Sequence, residues 1–168
     1  MISLTNKLNE SLLDDEEDLI NNNDGLIEQF LKDNYDIDGT YTIKNGIVNV
    51  NGDVILNKDS KVSRLTNGLF SFGKVSGTFF CSLTQITSLE GSPKEVGNSF
   101  VCAYCNNLKN LKGSPREVGG SFICKFCSNL TSLNGLPKSV KKDFACECCP
   151  KLNSVKPAYE VTNGNVYS

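Results

Sequence analysis

The second half of the chain is one block written four times: GTFFCSLTQITSLEGSPKEVG, NSFVCAYCNNLKNLKGSPREVG, GSFICKFCSNLTSLNGLPKSVK and KDFACECCPKLNSVKP. The leading phenylalanines, Phe79, Phe100, Phe122 and Phe144, stand 21, 22 and 22 residues apart. A unit of that length cannot bury its own apolar face and has to stack on its neighbours, so a period of this size specifies a solenoid.

Each position of the block has a physical task. Phe100 and Cys102 are two residues apart, so a short strand points both to one face and Val101 and Ala103 to the other. Cys105, Leu108 and Leu111 follow at three-residue spacing, which suits a tight turn or a helical segment with all three facing inward. Gly113 and Pro115 break regular structure and turn the chain back, and Val118 and Gly119 carry it to the next strand at Phe122. One coil therefore reads as strand, turn and irregular return.

This spacing resembles the leucine-rich repeat, L-x-x-L-x-L-x-x-N/C-x-L, with Phe and Cys at the strand positions. The first clear copy runs Cys81, Thr84, Ile86, Leu89, and later copies insert one residue before the apolar position, as in Cys105, Leu108 and Cys127, Leu130, a pattern similar to the Cys-containing variety of that repeat. The blocks GSPKEVGNSFVC and GSPREVGGSFIC also resemble tandem repeats of bacteriophage proteins. Over residues 54–157 the resemblance implies an α+β solenoid, leucine-rich-repeat-like and right-handed, with a parallel β-sheet. It speaks to the fold and hardly to an activity.

A degenerate first coil precedes the clear ones, because Val54, Leu56, Asp59, Val62 and Leu65 keep the same spacing. Upstream, YTIKNGIVNVNGDVIL alternates apolar and polar residues around Asn45-Gly46 and Asn51-Gly52, both hairpin signals, so residues 40–56 are expected to be hairpin strands. Leu26, Ile27, Phe30 and Leu31 mark one face of a short helix starting near Asp24, its expected N-cap. Helix and hairpin over 24–53 would cap the solenoid at 54–157, and residues 158–168 would close its other end, since terminal units need an outer face that tolerates water.

Residues 1–23 differ in kind. Leu4, Leu8 and Leu12 recur at four-residue spacing, as in an amphipathic helix, and the run Asp14-Asp15-Glu16-Glu17-Asp18 follows. The segment lacks the basic start and sustained apolar core of a secretory signal, and no stretch of the chain approaches membrane-spanning length. A net charge of −2 conceals an asymmetry: residues 1–40 carry 2 basic and 11 acidic side chains, the remainder 15 and 8. The acidic arm is expected to be solvated, to fold back on the repeats, or to meet a basic face of a partner.

Cys102/Cys105, Cys124/Cys127 and Cys146/Cys149 form three C-x-x-C pairs whose 18-residue gaps fit a zinc pattern. The repeat accounts for the spacing without metal. Cys81 has Thr84 in place of its second ligand, three pairs do not divide into four-ligand sites, and the chain contains no histidine. Columns of reduced, buried thiols acting as small apolar side chains are expected instead, with no metal, no cofactor and no disulfide framework.

Lack of histidine also removes the commonest general base and the Ser-His and Cys-His pairings, and phosphate-loop, dinucleotide and nucleophile-elbow motifs are missing, so no enzyme is expected and no catalytic residue is nominated. Lys125, Lys138, Lys141, Lys142 and Lys151, with Tyr104 and Phe126 for stacking, offer a case for nucleic acid, which 17 Lys+Arg against 19 Asp+Glu weakens. The outward strand positions speak for a protein partner. Phe80, Val101, Tyr104, Ile123, Lys125 and Phe126 would form one largely apolar patch on the sheet, open to a partner or covered by the N-terminal helix or a second copy of the chain in a homodimer. The expected role is that of a phage-encoded adaptor in the cytoplasm of the infected cell. The competing role is a virion-associated protein, because MISLTNKLNESLLDDEE resembles N-terminal sorting sequences of phage capsid-internal proteins.

Overall fold

The computed structural model describes residues 23–168. Residues 23–34 are helical (α1) and lead directly into a hairpin of β1 (Tyr35–Lys44) and β2 (Ile47–Leu56). Asn45 and Gly46, at φ 52° and 68°, make the two-residue turn whose twist matches the flanking strands. From β2 onward the chain winds as a β-solenoid. Each coil contributes two short strands separated by a bend: β3 (Ser71–Val75) and β4 (Phe79–Phe80), β5 (Glu95–Val96) and β6 (Phe100–Val101), β7 (Glu117–Val118) and β8 (Phe122–Ile123), β9 (Ser139–Val140) and β10 (Phe144–Ala145).

Stacking of the coils produces two parallel ladders, β2-β4-β6-β8-β10 and β3-β5-β7-β9, and β2 is long enough to serve both. Its first half pairs with β3 and its second half with β4, so the hairpin fixes the register of the whole stack. Helix α2 (Lys156–Val161) buries Ala158 at the far end, and β11 (Val166–Tyr167) adds a last parallel strand to β10. The tail thus closes the solenoid partly by continuing it.

Register places Phe79, Phe100, Phe122 and Phe144 side by side, all fully buried. Their rings stack at centroid separations of 5.5, 5.2 and 5.3 Å, close to the ~4.8 Å step between parallel strands. At the N-terminal end the column turns edge-on to Phe72, and Tyr35 and Phe70 close over it while α1 adds Ile27 and Leu31 to the core. Val96, Val118 and Val140 form the corresponding column of the second ladder.

Several expectations need adjustment. Cys105, Leu108 and Leu111 do face inward, through turns rather than helix, with Leu108 N–H bonded to the Cys105 carbonyl at 3.0 Å. The supposed irregular return contains the second ladder. The hairpin begins at Tyr35 rather than residue 40, and Asn51-Gly52 lies inside β2, where Gly52 faces Gly39 across the pair at a distance that leaves no room for a Cβ. Asp24 lies within α1. The amphipathic and acidic segment at residues 1–22 lies outside the described residues.

Candidate functional site

The strand phase puts alternate residues outside. Ile55, Phe80, Val101, Ile123, Ala145 and Tyr167 are direct neighbours on successive strands, an apolar stripe of roughly 24 Å at one strand step per coil. Phe80, Val101 and Ile123 are half-buried, Ala145 is buried, and Ile55 and Tyr167 at the two ends are exposed. Ile55 and Tyr167 belong to this stripe by register, yet neither stood out in the sequence, because both lie beyond the clear repeats.

A second stripe runs beside it at the corner where each coil leaves the sheet. Leu83, Tyr104, Phe126 and Cys148 occupy equivalent positions with φ of 61°, 58°, 58° and 57°. The backbone here still belongs to the ladder, since the amides of Leu83, Tyr104 and Phe126 donate to the carbonyls of Ala103, Lys125 and Glu147 at 2.9 Å. Each left-handed residue joins an inward strand position to an inward turn position three residues later, as from Cys102 to Cys105. Its own side chain is thereby thrown outward: Leu83 is 57%, Tyr104 45% and Phe126 40% exposed. The rings of Tyr104 and Phe126 lie parallel at 4.6 Å.

Between the stripes stand Ser82, Ala103, Lys125 and Glu147. Lys125 forms an ion pair with Glu147, whose hydrogen bond holds the ammonium above its ordinary pKa. All six sequence-nominated residues, Phe80, Val101, Tyr104, Ile123, Lys125 and Phe126, therefore share one face. At its N-terminal end this face opens into a cleft of about 530 Å³ lined by Ile55, Leu56, Phe80 and Leu83, with Lys32 and Asp36 at its rim. Of the lysines nominated for nucleic acid, Lys125 lies beside the stacked rings, whereas Lys138, Lys141 and Lys142 belong to the other ladder and its bend, so the set does not gather around Tyr104 and Phe126.

The cysteines are built into the interior. The thiols of Cys105, Cys127 and Cys149 donate to the carbonyl oxygens of Cys81, Cys102 and Cys124 on the preceding coil at 3.1, 3.3 and 3.2 Å. A small side chain with a weak donor thus satisfies a carbonyl that the turning chain withdraws from the ladder. Thr84 plays a similar part within its own coil, its hydroxyl donating to Cys81 O at 2.6 Å. Burial pushes the thiols of Cys81, Cys102 and Cys124 well above the ordinary cysteine range, so they remain protonated. Among the described residues no group of three or more Cys, Asp or Glu is arranged to hold a metal ion, and all eight cysteines are free.

Accessibility sets an order of reactivity. Cys148 is exposed and Cys149 half-exposed, whereas Cys81, Cys102, Cys105, Cys124, Cys127 and Cys146 are buried. Iodoacetamide added to the native protein is expected to alkylate Cys148 first and Cys149 more slowly, and to reach the remaining six only after denaturation. Peptide mass mapping checks this. Rapid native labelling of Cys102 or Cys124 contradicts the inward cysteine columns.

No protein-family model matches this chain, and no curated protein or solved structure matches it either. Among the described residues no helix is long and apolar enough to cross a membrane.

Proposed function

We propose that this protein is a non-enzymatic binding module that grips a protein partner across the two apolar stripes of its outward face. The observation that carries this reading is the corner stripe. A left-handed backbone costs an ordinary residue roughly 1–2 kcal/mol, and glycine would adopt it freely. Here Leu83, Tyr104 and Phe126 occupy such positions while exposing large apolar side chains. A fold selected for stability alone favours glycine there. Large apolar side chains at strained, solvent-facing corner positions support a contact surface.

The chain is further proposed to be a bacteriophage protein of leucine-rich-repeat type that acts on a host or phage protein in the cytoplasm of the infected bacterium. This reading rests on the repeat blocks GSPKEVGNSFVC and GSPREVGGSFIC. Packaging into the virion is the second reading and rests on residues 1–17. Mass spectrometry of purified particles separates the two, because an adaptor confined to the cell is missing from them.

The binding reading is tested by truncating the rings. Tyr104→Ala and Phe126→Ala are each expected to weaken partner binding by about 2 kcal/mol, roughly thirtyfold, because aromatic anchors dominate such interfaces. Each is expected to lower stability by less than about 1.5 kcal/mol, the value of one lost aromatic pair. Phe126→Gly removes the ring and the strain together, so it is expected to be about 1 kcal/mol more stable than Phe126→Ala while binding equally poorly. Calorimetric titration and chemical denaturation of the three variants decide the matter. Unchanged affinity in all of them sinks the assignment.

A further inference from the structure

Among the described residues, the outer edge of β1 is the other element without a partner. β1 is ten residues long, pairs with β2 alone, and is bordered by no other strand among the described residues. Its backbone polarity follows from β2. The carbonyls of Val50 and Gly52 accept from Ser76 and Gly77 at 3.0 Å, and Val54 N–H donates to Thr78 O at 2.9 Å, so the even-numbered residues of β2 face the solenoid ladders. The odd-numbered residues of β2 consequently face β1, where the register pairs them with even-numbered partners such as Asp36, Asp38, Thr40 and Thr42. That leaves Ile37, Gly39, Tyr41 and Ile43 with N–H and C=O groups directed away from the molecule.

We propose that this edge pairs with the same edge of a second copy of the chain, antiparallel about a two-fold axis at Thr40. Antiparallel pairing requires outward-directed residues to face outward-directed residues, which restricts the axis to a residue position. With the axis at Thr40, Ile37 faces the partner's Ile43 and Tyr41 faces the partner's Gly39. Asp36 faces the partner's Lys44, and the symmetry makes that ion pair twice. An axis at Gly39 leaves Asp36 opposite the partner's Thr42, and an axis at Tyr41 pairs Asp38 with the partner's Lys44 but sets Ile37 opposite the turn at Asn45, so Thr40 is the register that joins an ion pair to the apolar pair. Gly39 contributes to the fit. Any Cβ there would lie 2.2 Å from Asn51 O, so the position stays bare, and the partner's Tyr41 ring covers the gap as aromatic residues do for glycine in paired strands.

Long strand edges are ordinarily blunted by charge, and Asp36, Asp38 and Lys44 would repel or mismatch an arbitrary strand. In the register about Thr40, Asp36 and Lys44 are complementary to a second copy of the same strand. The surface does not include Tyr104 or Phe126, so the dimer and the partner-binding face stand or fall separately.

Sedimentation equilibrium of the full chain, 18.3 kDa, over a concentration series tests the proposal. A reversible dimer is expected. Lys44→Asp puts like charges opposite each other at both ends and is expected to weaken the dimer by about tenfold or more, with recovery in the double variant carrying Asp36→Lys and Lys44→Asp. Hydrogen exchange gives the residue-level reading: the amides of Ile37, Gly39, Tyr41 and Ile43 are expected to be protected at concentrations where the dimer forms and to exchange quickly on dilution. A full chain that stays monomeric at its highest soluble concentration overturns the proposal, as does a dimer indifferent to Lys44→Asp or one that leaves these amides unprotected.

Discussion

Phe122→Ala is expected to destabilise the protein by about 3–5 kcal/mol, most of the margin that holds an ordinary domain folded. The ring is fully buried and stacks on Phe100 at 5.2 Å and on Phe144 at 5.3 Å, so its removal breaks two ring contacts at once. A solenoid aggravates the loss because each coil touches only its neighbours and no distant element collapses into the cavity. The damage is therefore directional. The coil of Phe144 and the short strand β11 lie beyond the cavity and have little other support, so they are expected to loosen before the hairpin end does. Urea denaturation gives the magnitude, and native alkylation gives the location: Cys124 and Cys146 become reactive while Cys81 stays protected. Phe122→Leu, which retains most of the volume, is expected to cost less than about 1.5 kcal/mol. A small effect of the alanine variant contradicts the buried column.

The column itself was legible in the sequence. A strict period, a phenylalanine at its head and cysteine two residues later determine which side chains face inward, and Asn45-Gly46 locates the hairpin turn by a backbone requirement few residues meet. The second ladder was not legible. Its members, Glu95–Val96, Glu117–Val118 and Ser139–Val140, are two residues long and sit among Gly, Pro and Ser, so local propensity signals a loop. They become strands because the coil below supplies hydrogen-bond partners at the right spacing, a tertiary cause that a window of sequence does not contain. The same holds for the corner residues. The outward direction of Tyr104 and Phe126 was read from the inward cysteines on either side of them, whereas alternation along the strand points them inward; the left-handed backbone that turns them out was not legible, since aromatic residues rarely adopt it. Burial of the cysteines on both sides of the corner imposes it. C-x-x-C spacing was ambiguous for the same reason: zinc ligation and interior carbonyl capping both call for a small sulfur-bearing side chain at a tight turn, and the capping role of Cys105, Cys127 and Cys149 appears only once the coils are stacked.

Gly135→Ala tests the closeness of that stacking. Gly135 has φ of +94°, and a Cβ built on it lies 2.5 Å from Leu111 O and from the backbone of Lys112, atoms of the preceding coil that have no flexible side chain to swing aside. Two penalties combine. An alanine in this backbone region costs on the order of 1–3 kcal/mol, and relief of the clash requires the coils to separate. The expected total is about 3 kcal/mol or more. Gly68 supplies the control, because its φ is +91° but nothing lies within 4 Å of the Cβ it would gain. Gly68→Ala therefore carries the conformational penalty alone, about 1 kcal/mol. Gly91 falls between them: the nearest atoms to its Cβ belong to the Thr66 side chain, 2.8 Å away, which can rotate. Equilibrium denaturation of the three variants should rank them Gly68, Gly91, Gly135 in rising cost. The difference between the first and the last measures contact between neighbouring coils, since the backbone angle is nearly the same in both. Equal costs at all three positions mean that adjacent coils have slack at the Gly-x-Pro turn and that the solenoid is held by its ladders and core columns alone.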